Sequence, residues 1–350
     1  MKLYNLGKIP WQETQTVYHA LAGLGREALS LVSPASPYVC IGFHQDAEQE
    51  VDMGFCRERG IPVFRREVGG GAVYLDGDQL FFHLVLRKEN PIVPGRKEAF
   101  YRKFLQPVIN VYRHIGIQAE YKPVNDVVVE NRKISGTGAA EIGECVVFVG
   151  NLIVDFNYEM MSRVLKVPDE KFRDKVHKTL EENLSTVRRE LGEENAARWD
   201  ETTLNRLMAD EFSRIVGPME ASEIDPLLRE KMDQLEKTMN TDQWLYQTRR
   251  KGVRGRQVKI SAGAQLLHRV QKAQGGLIRA DIEVIDGRFK NVYLSGDFFC
   301  FPEKGVEWIE ESLRGKAVGE AKDIVESIYE EKGLETPGIR VEDWIEVLKA

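Results

Sequence analysis

Apolar positions recur at helical spacing over residues 13–32, which predicts a first helix with Leu21, Leu24, Leu29 and Leu31 partly buried. Ser33, Pro34, Ala35, Ser36 and Pro37 should break it, and residues 38–42 read as a buried strand. Residues 61–66 lead into three consecutive glycines, Gly69, Gly70 and Gly71, and residues 72–75 leave them as a further strand. After a turn at Asp76, Gly77 and Asp78, residues 80–86 are apolar almost throughout. A strand of that kind is covered on both faces and belongs near the centre of a sheet. Its one histidine, His83, reads as a satisfied core residue. Residues 97–115 read as a helix, 126–135 as a hairpin turning around residues 130–132, and 146–149 and 152–154 as strands.

The stretch 158–250 is largely helical and charged, with helices predicted over 159–165, 203–216 and 227–241. A basic, glycine-interrupted run at 249–256 reads either as a solvated linker or as a hinge that helps bind an anion, and a domain boundary falls near it. Residues 277–284 alternate apolar and charged side chains, Asp286 and Gly287 offer a hairpin turn, and residues 289–294 return. Amphipathic helices follow at 303–314, 318–332 and 341–349. The expectation is a mixed α/β (α+β) chain. Residues 1–250 form a large domain with a central sheet flanked by helices, and residues 256–350 a small α/β module.

Composition narrows the function. A chain of 350 residues has room for two domains. Its 55 acidic residues against 49 basic ones give a net charge of −6, which argues against a general nucleic-acid binder. No apolar run approaches the roughly 18–20 residues that cross a bilayer, and the first residues lack a signal-peptide layout. The chain therefore reads as cytoplasmic, with no membrane partner. Cys40, Cys56, Cys145 and Cys300 form no closely spaced pair and the histidines do not cluster, so neither a zinc site nor disulfides are expected.

The chemistry concentrates in two places. Arg65 and Arg66 precede the glycine triplet. Glycines let backbone N–H groups approach an anion, and arginine adds a permanent planar fork of donors. These residues suit an acidic small molecule, although a glycine-rich hairpin with two solvated arginines has the same sequence. Lys133, at a hairpin end before Ile134, Ser135, Gly136, Thr137 and Gly138, would neutralise phosphate charge if it reached the same pocket, and is otherwise a solvated charge. Asp126, beside Asn125, either orients a donor or a metal-bound phosphate or caps a strand.

In order and spacing, the segments 65–74, 125–126 and 131–136 together resemble the lipoate–protein ligase family, part of the biotin/lipoate ligase and octanoyltransferase superfamily. Residues 275–279, 286–288 and 295–299 resemble the accessory C-terminal domain of its ligases, so the likeness spans nearly the whole chain. The resemblance implies a biotin/lipoate-ligase-like catalytic domain plus that accessory domain. It also implies a two-step reaction: lipoate and ATP give lipoyl-AMP, and the lipoyl group then passes to a lysine of a carrier. Arg66, Gly70, Gly71, Ala72, Val73 and Tyr74 would hold the nucleotide with Asn125 and Asp126. Lys133 would contact the lipoate carboxylate and the α-phosphate, and Mg²⁺ would complete the charge balance, with Asp126 its candidate ligand. Phe81, Phe82 and residues 146–148 would supply an apolar slot for the acyl tail. The implied partner is a lipoyl-carrier protein or domain: a glycine-cleavage H protein, a 2-oxoacid dehydrogenase acyltransferase domain, or a dedicated carrier. Departures from the family pattern fall at Val68, Leu75, Ala139, Ala140 and residues 149–151. A second reading makes Cys145 the thioester nucleophile of an octanoyltransferase, and a third makes the chain a non-catalytic carrier-binding relative.

Overall fold

The computed structural model describes residues 1–248, 258–261 and 264–349. The basic run at 249–256 and the boundary placed on it lie outside the described residues. In the large domain twelve strands follow in chain order: β1 (Lys2–Ile9), β2 (Ala28–Pro34), β3 (Tyr38–Ile41), β4 (Val63–Arg65), β5 (Val73–Leu75), β6 (Gln79–Arg87), β7 (Glu120–Lys122), β8 (Asp126–Val129), β9 (Arg132–Ser135), β10 (Thr137–Ile142), β11 (Cys145–Ile153) and β12 (Glu220–Ala221). They form a six-stranded mixed sheet in the order β10-β11-β6-β2-β1-β12 and two three-stranded sheets, β4-β3-β5 and β7-β8-β9.

The apolar strand β6 sits inside the large sheet, between β2 and β11, as its composition requires. The first helix is shorter than its leucine spacing predicts. It spans Trp11–Gly23, and Gly25 then takes a positive φ of 64°. The Arg26 N–H reaches back to Leu21 O at 2.9 Å, a glycine-based helix stop. Leu29 and Leu31 therefore belong to β2, where they are fully buried in extended chain. Leu29 and Leu31, two apart, share a face of a strand but not of a helix. The glycine stop marks where the period changes.

Beyond the large domain, β13 (Val258–Ser261), β14 (Ala264–Ala273), β15 (Gly276–Ile285) and β16 (Arg288–Gly296) make an antiparallel sheet. Helices Gly305–Leu313, Ala321–Lys332 and Val341–Leu348 accompany it, around a core of its own that includes Ile278, Ala280, Ile282 and Trp344. The C-terminal module also enters the large domain: Phe299 and Phe301 belong to the core cluster built on β6, β11 and helix Lys97–His114. The Gly296 N–H donates to His44 O at 3.0 Å, Arg279 pairs with Glu50, and the His44 and Phe298 rings stack at 5.1 Å.

Glu303 ties the two parts through its Oε1, which accepts from the Glu141 N–H at 2.6 Å. Burial pushes its carboxyl up to about 7, with Glu141 and Glu67 adding repulsion, while Lys97 and Lys88 pair with Glu141. The folded protein thus keeps this proton to a higher pH than the unfolded chain, so stability falls as pH rises from the ordinary carboxylate range through about 7. Chemical denaturation at pH 5 and pH 8 should show this loss, and Glu303→Gln should flatten it. An unchanged pH dependence in the variant would contradict this assignment. No described helix is long and apolar enough to cross a membrane.

Candidate active site

A cavity of about 430 Å³ opens where the sheets of the large domain meet the C-terminal module. Arg66, Gly69, Gly70, Gly71, Ala72, Val73, Asn125, Asp126 and Lys133 all line it. Residues more than sixty positions apart, whose meeting the residue chemistry left open and the family resemblance implied, thus line one cavity.

The lysine is presented by a tight hairpin. Glu130 and Asn131 both take positive φ, 47° and 66°, as a two-residue turn between β8 and β9 requires, and asparagine tolerates that conformation well. Across the hairpin Lys133 Nζ lies 2.6 Å from Asp126 Oδ1, and both side chains are about one-third exposed. Asp126 is therefore the counter-ion of Lys133. Among the described residues no three acidic, histidine or cysteine side chains gather as a metal cluster. Asn125 is a brace: its amide donates to Thr137 O, and Thr137 Oγ1 donates back to Asn125 O.

The two arginines part company, because adjacent side chains at the end of a strand point to opposite faces. Arg66 lines the cavity and grips the triplet, donating to Gly69 O at 2.8 Å, Gly71 O at 2.9 Å and Cys40 O at 3.2 Å. Arg65 is fully buried and holds Leu245 O, Gly42 O, Phe43 O and Thr248 Oγ1. Burial lowers it to about 10, still charged at neutral pH.

The triplet is tightly enclosed. A Cβ on Gly69 would meet Phe298 O at 2.4 Å, and Gly70, at φ 92°, donates its N–H to that same oxygen at 3.2 Å. Below it, a Cβ on Gly42 would come within 1.9 Å of Gly70 O. Glycine is required here by backbone packing as much as by any ligand. The C-terminal module also supplies lining residues that sequence reasoning did not place in the site, Lys272, Gln274, Asp297 and Phe299 among them. The available signals were the 275–279 and 295–299 segments, read only as domain signatures.

Strand alternation corrects two expectations, that Tyr74 lines the nucleotide site and that Phe82 and residues 146–148 line the acyl slot. Val73 and Leu75 line the cavity, whereas Tyr74 between them turns into another cluster, where its N–H meets Met161 Sδ at 3.2 Å. Phe81 lines the cavity, but Phe82 faces the opposite core with Phe148 and Phe212, and residues 146–148 are not on the lining. The slot is bounded instead by Tyr18, Cys40, Leu75, Phe81, His83 and Val149. His83 is buried as expected and is also a wall of the cavity.

Cys145 starts β11, four residues from Val149 and so roughly 13 Å along the strand. It is buried outside the cavity lining, and burial raises its thiol pKa, the reverse of what a nucleophile needs. Arg87 and Lys88 are the cations acting on it, and they do not offset the effect of burial. Cys145→Ala should leave turnover within about twofold of wild type, as for a core cysteine. An abolished activity in a folded variant would restore the thioester reading.

The family model for the lipoyl protein ligase A/B catalytic domain matches residues 10–213, more than half of the chain, and the chain belongs to that family. Among relatives, lipoate-protein ligase A subunit 1 of Thermoplasma acidophilum is 34% identical over 159 residues, 43% of this chain and 59% of that protein. The match thus spans somewhat over half of that relative's length. Lipoate-protein ligase LplJ of Bacillus subtilis is 28% identical over 282 residues, 80% of this chain and 78% of that one. Octanoyltransferase LipM of Kyrpidia tusciae is 26% identical over 233 residues, 60% of this chain and 83% of that one. A structure of the bi-partite lipoate protein ligase and its E2 lipoyl domain from Thermoplasma acidophilum matches with 26% identity and a TM-score of 0.62, covering 72% of this chain and 98% of that one. The fold is thus the biotin/lipoate-ligase fold expected from the motifs.

Proposed function

We propose that the protein is an ATP-dependent, AMP-forming lipoate–protein ligase, with its site in residues 1–250 and an accessory domain in 256–350. The observation that carries this reading is one cavity holding Lys133, Arg66 and the glycine triplet, continued inward by an apolar slot and closed by C-terminal residues. A carboxylate attacking a phosphate brings two anions together, and a cation fixed between them lowers the barrier most where charge builds up. Lys133 is suited to that place, and Asp126 keeps its ammonium aimed across the hairpin before substrate arrives.

In the first step a lipoate oxygen bonds to the α-phosphorus and pyrophosphate leaves. In the second the uncharged amine of a carrier lysine attacks the acyl carbonyl, and AMP departs as the amide forms. Asp126 Oδ2 has no partner among the described residues, so Asp126 offers the single-carboxylate attachment that Mg²⁺ uses beside substrate phosphates. The ion would neutralise phosphate charge there. The protein acceptor inferred is a lipoyl domain, of the kind named in the Thermoplasma structure.

The test is lipoate-dependent exchange of labelled pyrophosphate into ATP, followed by lipoylation of an added lipoyl domain. Exchange followed by transfer supports the ligase. Absence of exchange with every nucleoside triphosphate, together with acyl transfer from an octanoyl carrier, would replace this reading with the LipM-like one.

A further inference from the structure

The closed end of the slot has an unexpected chemistry. On β6 and β11 the cavity-facing positions come in cross-strand rows: Phe81 with Asn151, His83 with Val149, then Val85 with Val147. The first two rows line the cavity and the third does not, so His83 and Val149 stand at its inner wall. Tyr18 covers that wall, its ring 4.7 Å from the His83 ring. Burial lowers His83 to about 3, with His19 repelling its proton further, so the imidazole is neutral under ordinary conditions. Its Nδ1 lies 3.0 Å from Ser30 Oγ on β2, and its Nε2 has no partner among the described residues.

Resting on the ligase reading above, we infer that His83, braced by Ser30, sets acyl-chain selectivity, favouring a chain that ends in a sulfur-bearing ring over a plain hydrocarbon of equal length. A hydrocarbon terminus pressed against this wall leaves a ring nitrogen buried without a partner. A polarisable sulfur accepts weakly from an imidazole N–H and packs well against the Tyr18 and Phe81 rings. His83 thus places a polar ring nitrogen at the far end of the slot, where it discriminates between chain termini.

Calorimetric titration of the protein with lipoate and with octanoate, without nucleotide, tests this independently of catalysis. The wild type should bind lipoate more tightly by about 5–10-fold, the range expected of sulfur–aromatic and polar-wall contacts. His83→Leu should bring the affinity ratio close to one, chiefly by improving octanoate. His83→Gln, which keeps a polar group, should retain most of it, and pyrophosphate exchange should show the same ordering in KM with little change in kcat. A wild-type ratio near one overturns the proposal whatever the variants do, as does an undiminished ratio in folded His83→Leu. Selective binding without any exchange would leave it standing and remove the ligase reading instead.

Discussion

Lys133→Ala should lower lipoate-dependent pyrophosphate exchange by roughly 10²–10³-fold, the loss typical when one preorganised electrostatic contact to a transition state is removed. Melting temperature should hardly move. The ion pair with Asp126 is partly solvated, and such pairs contribute at most about 1 kcal/mol. Lys133→Arg should recover little, because a planar fork does not place a compact charge between two anions. Measuring exchange and thermal unfolding on the same preparations separates the chemistry from the fold. Exchange in Lys133→Ala within a factor of ten of wild type would remove the lysine from the role assigned to it.

The second large effect concerns stability. Arg65→Met should destabilise the protein by about 3–5 kcal/mol, the cost of stripping the partner from several buried polar groups. Leu245 O, Gly42 O, Phe43 O and Thr248 Oγ1 would lose their donor at once. Gly42 packs directly beneath Gly70, so the loosening should spread to the triplet and raise the KM for nucleotide as well. Urea unfolding followed by circular dichroism reads the stability term. A midpoint equal to that of wild type would show that water or neighbouring groups take over these acceptors.

The contrast between the two arginines shows what a sequence conveys and what it withholds. The glycine triplet, the lysine hairpin and the buried strand were legible because each rests on local chemistry: a glycine conformation, a turn pair, an unbroken apolar run. By residue chemistry alone Arg65 and Arg66 were indistinguishable, and only the family resemblance singled out Arg66, since the strand's phase against its neighbours decides which faces the cavity. The same phase separates Phe81 from Phe82 and Tyr74 from Val73. Two-residue alternation is visible in a sequence, but the face that meets the ligand is set by packing partners far away in the chain. The contribution of Lys272 and Asp297 was hidden for the same reason, as nothing local indicates that the C-terminal module reaches the triplet. His83 was read as a core residue, and it is one; its second face became visible only when the cavity did.

The rows at the inner wall make the slot a ruler with coarse divisions. Successive side chains on one face of a strand stand about 6.6–6.8 Å apart, so the slot ends at the His83 and Val149 rung or at the Val85 and Val147 rung behind it, with no natural stop between. A chain one methylene too long cannot be accommodated by a small retreat of the wall. A variant that accepted a much longer acid would have to open a whole rung, trading the side chains at both positions of a row together.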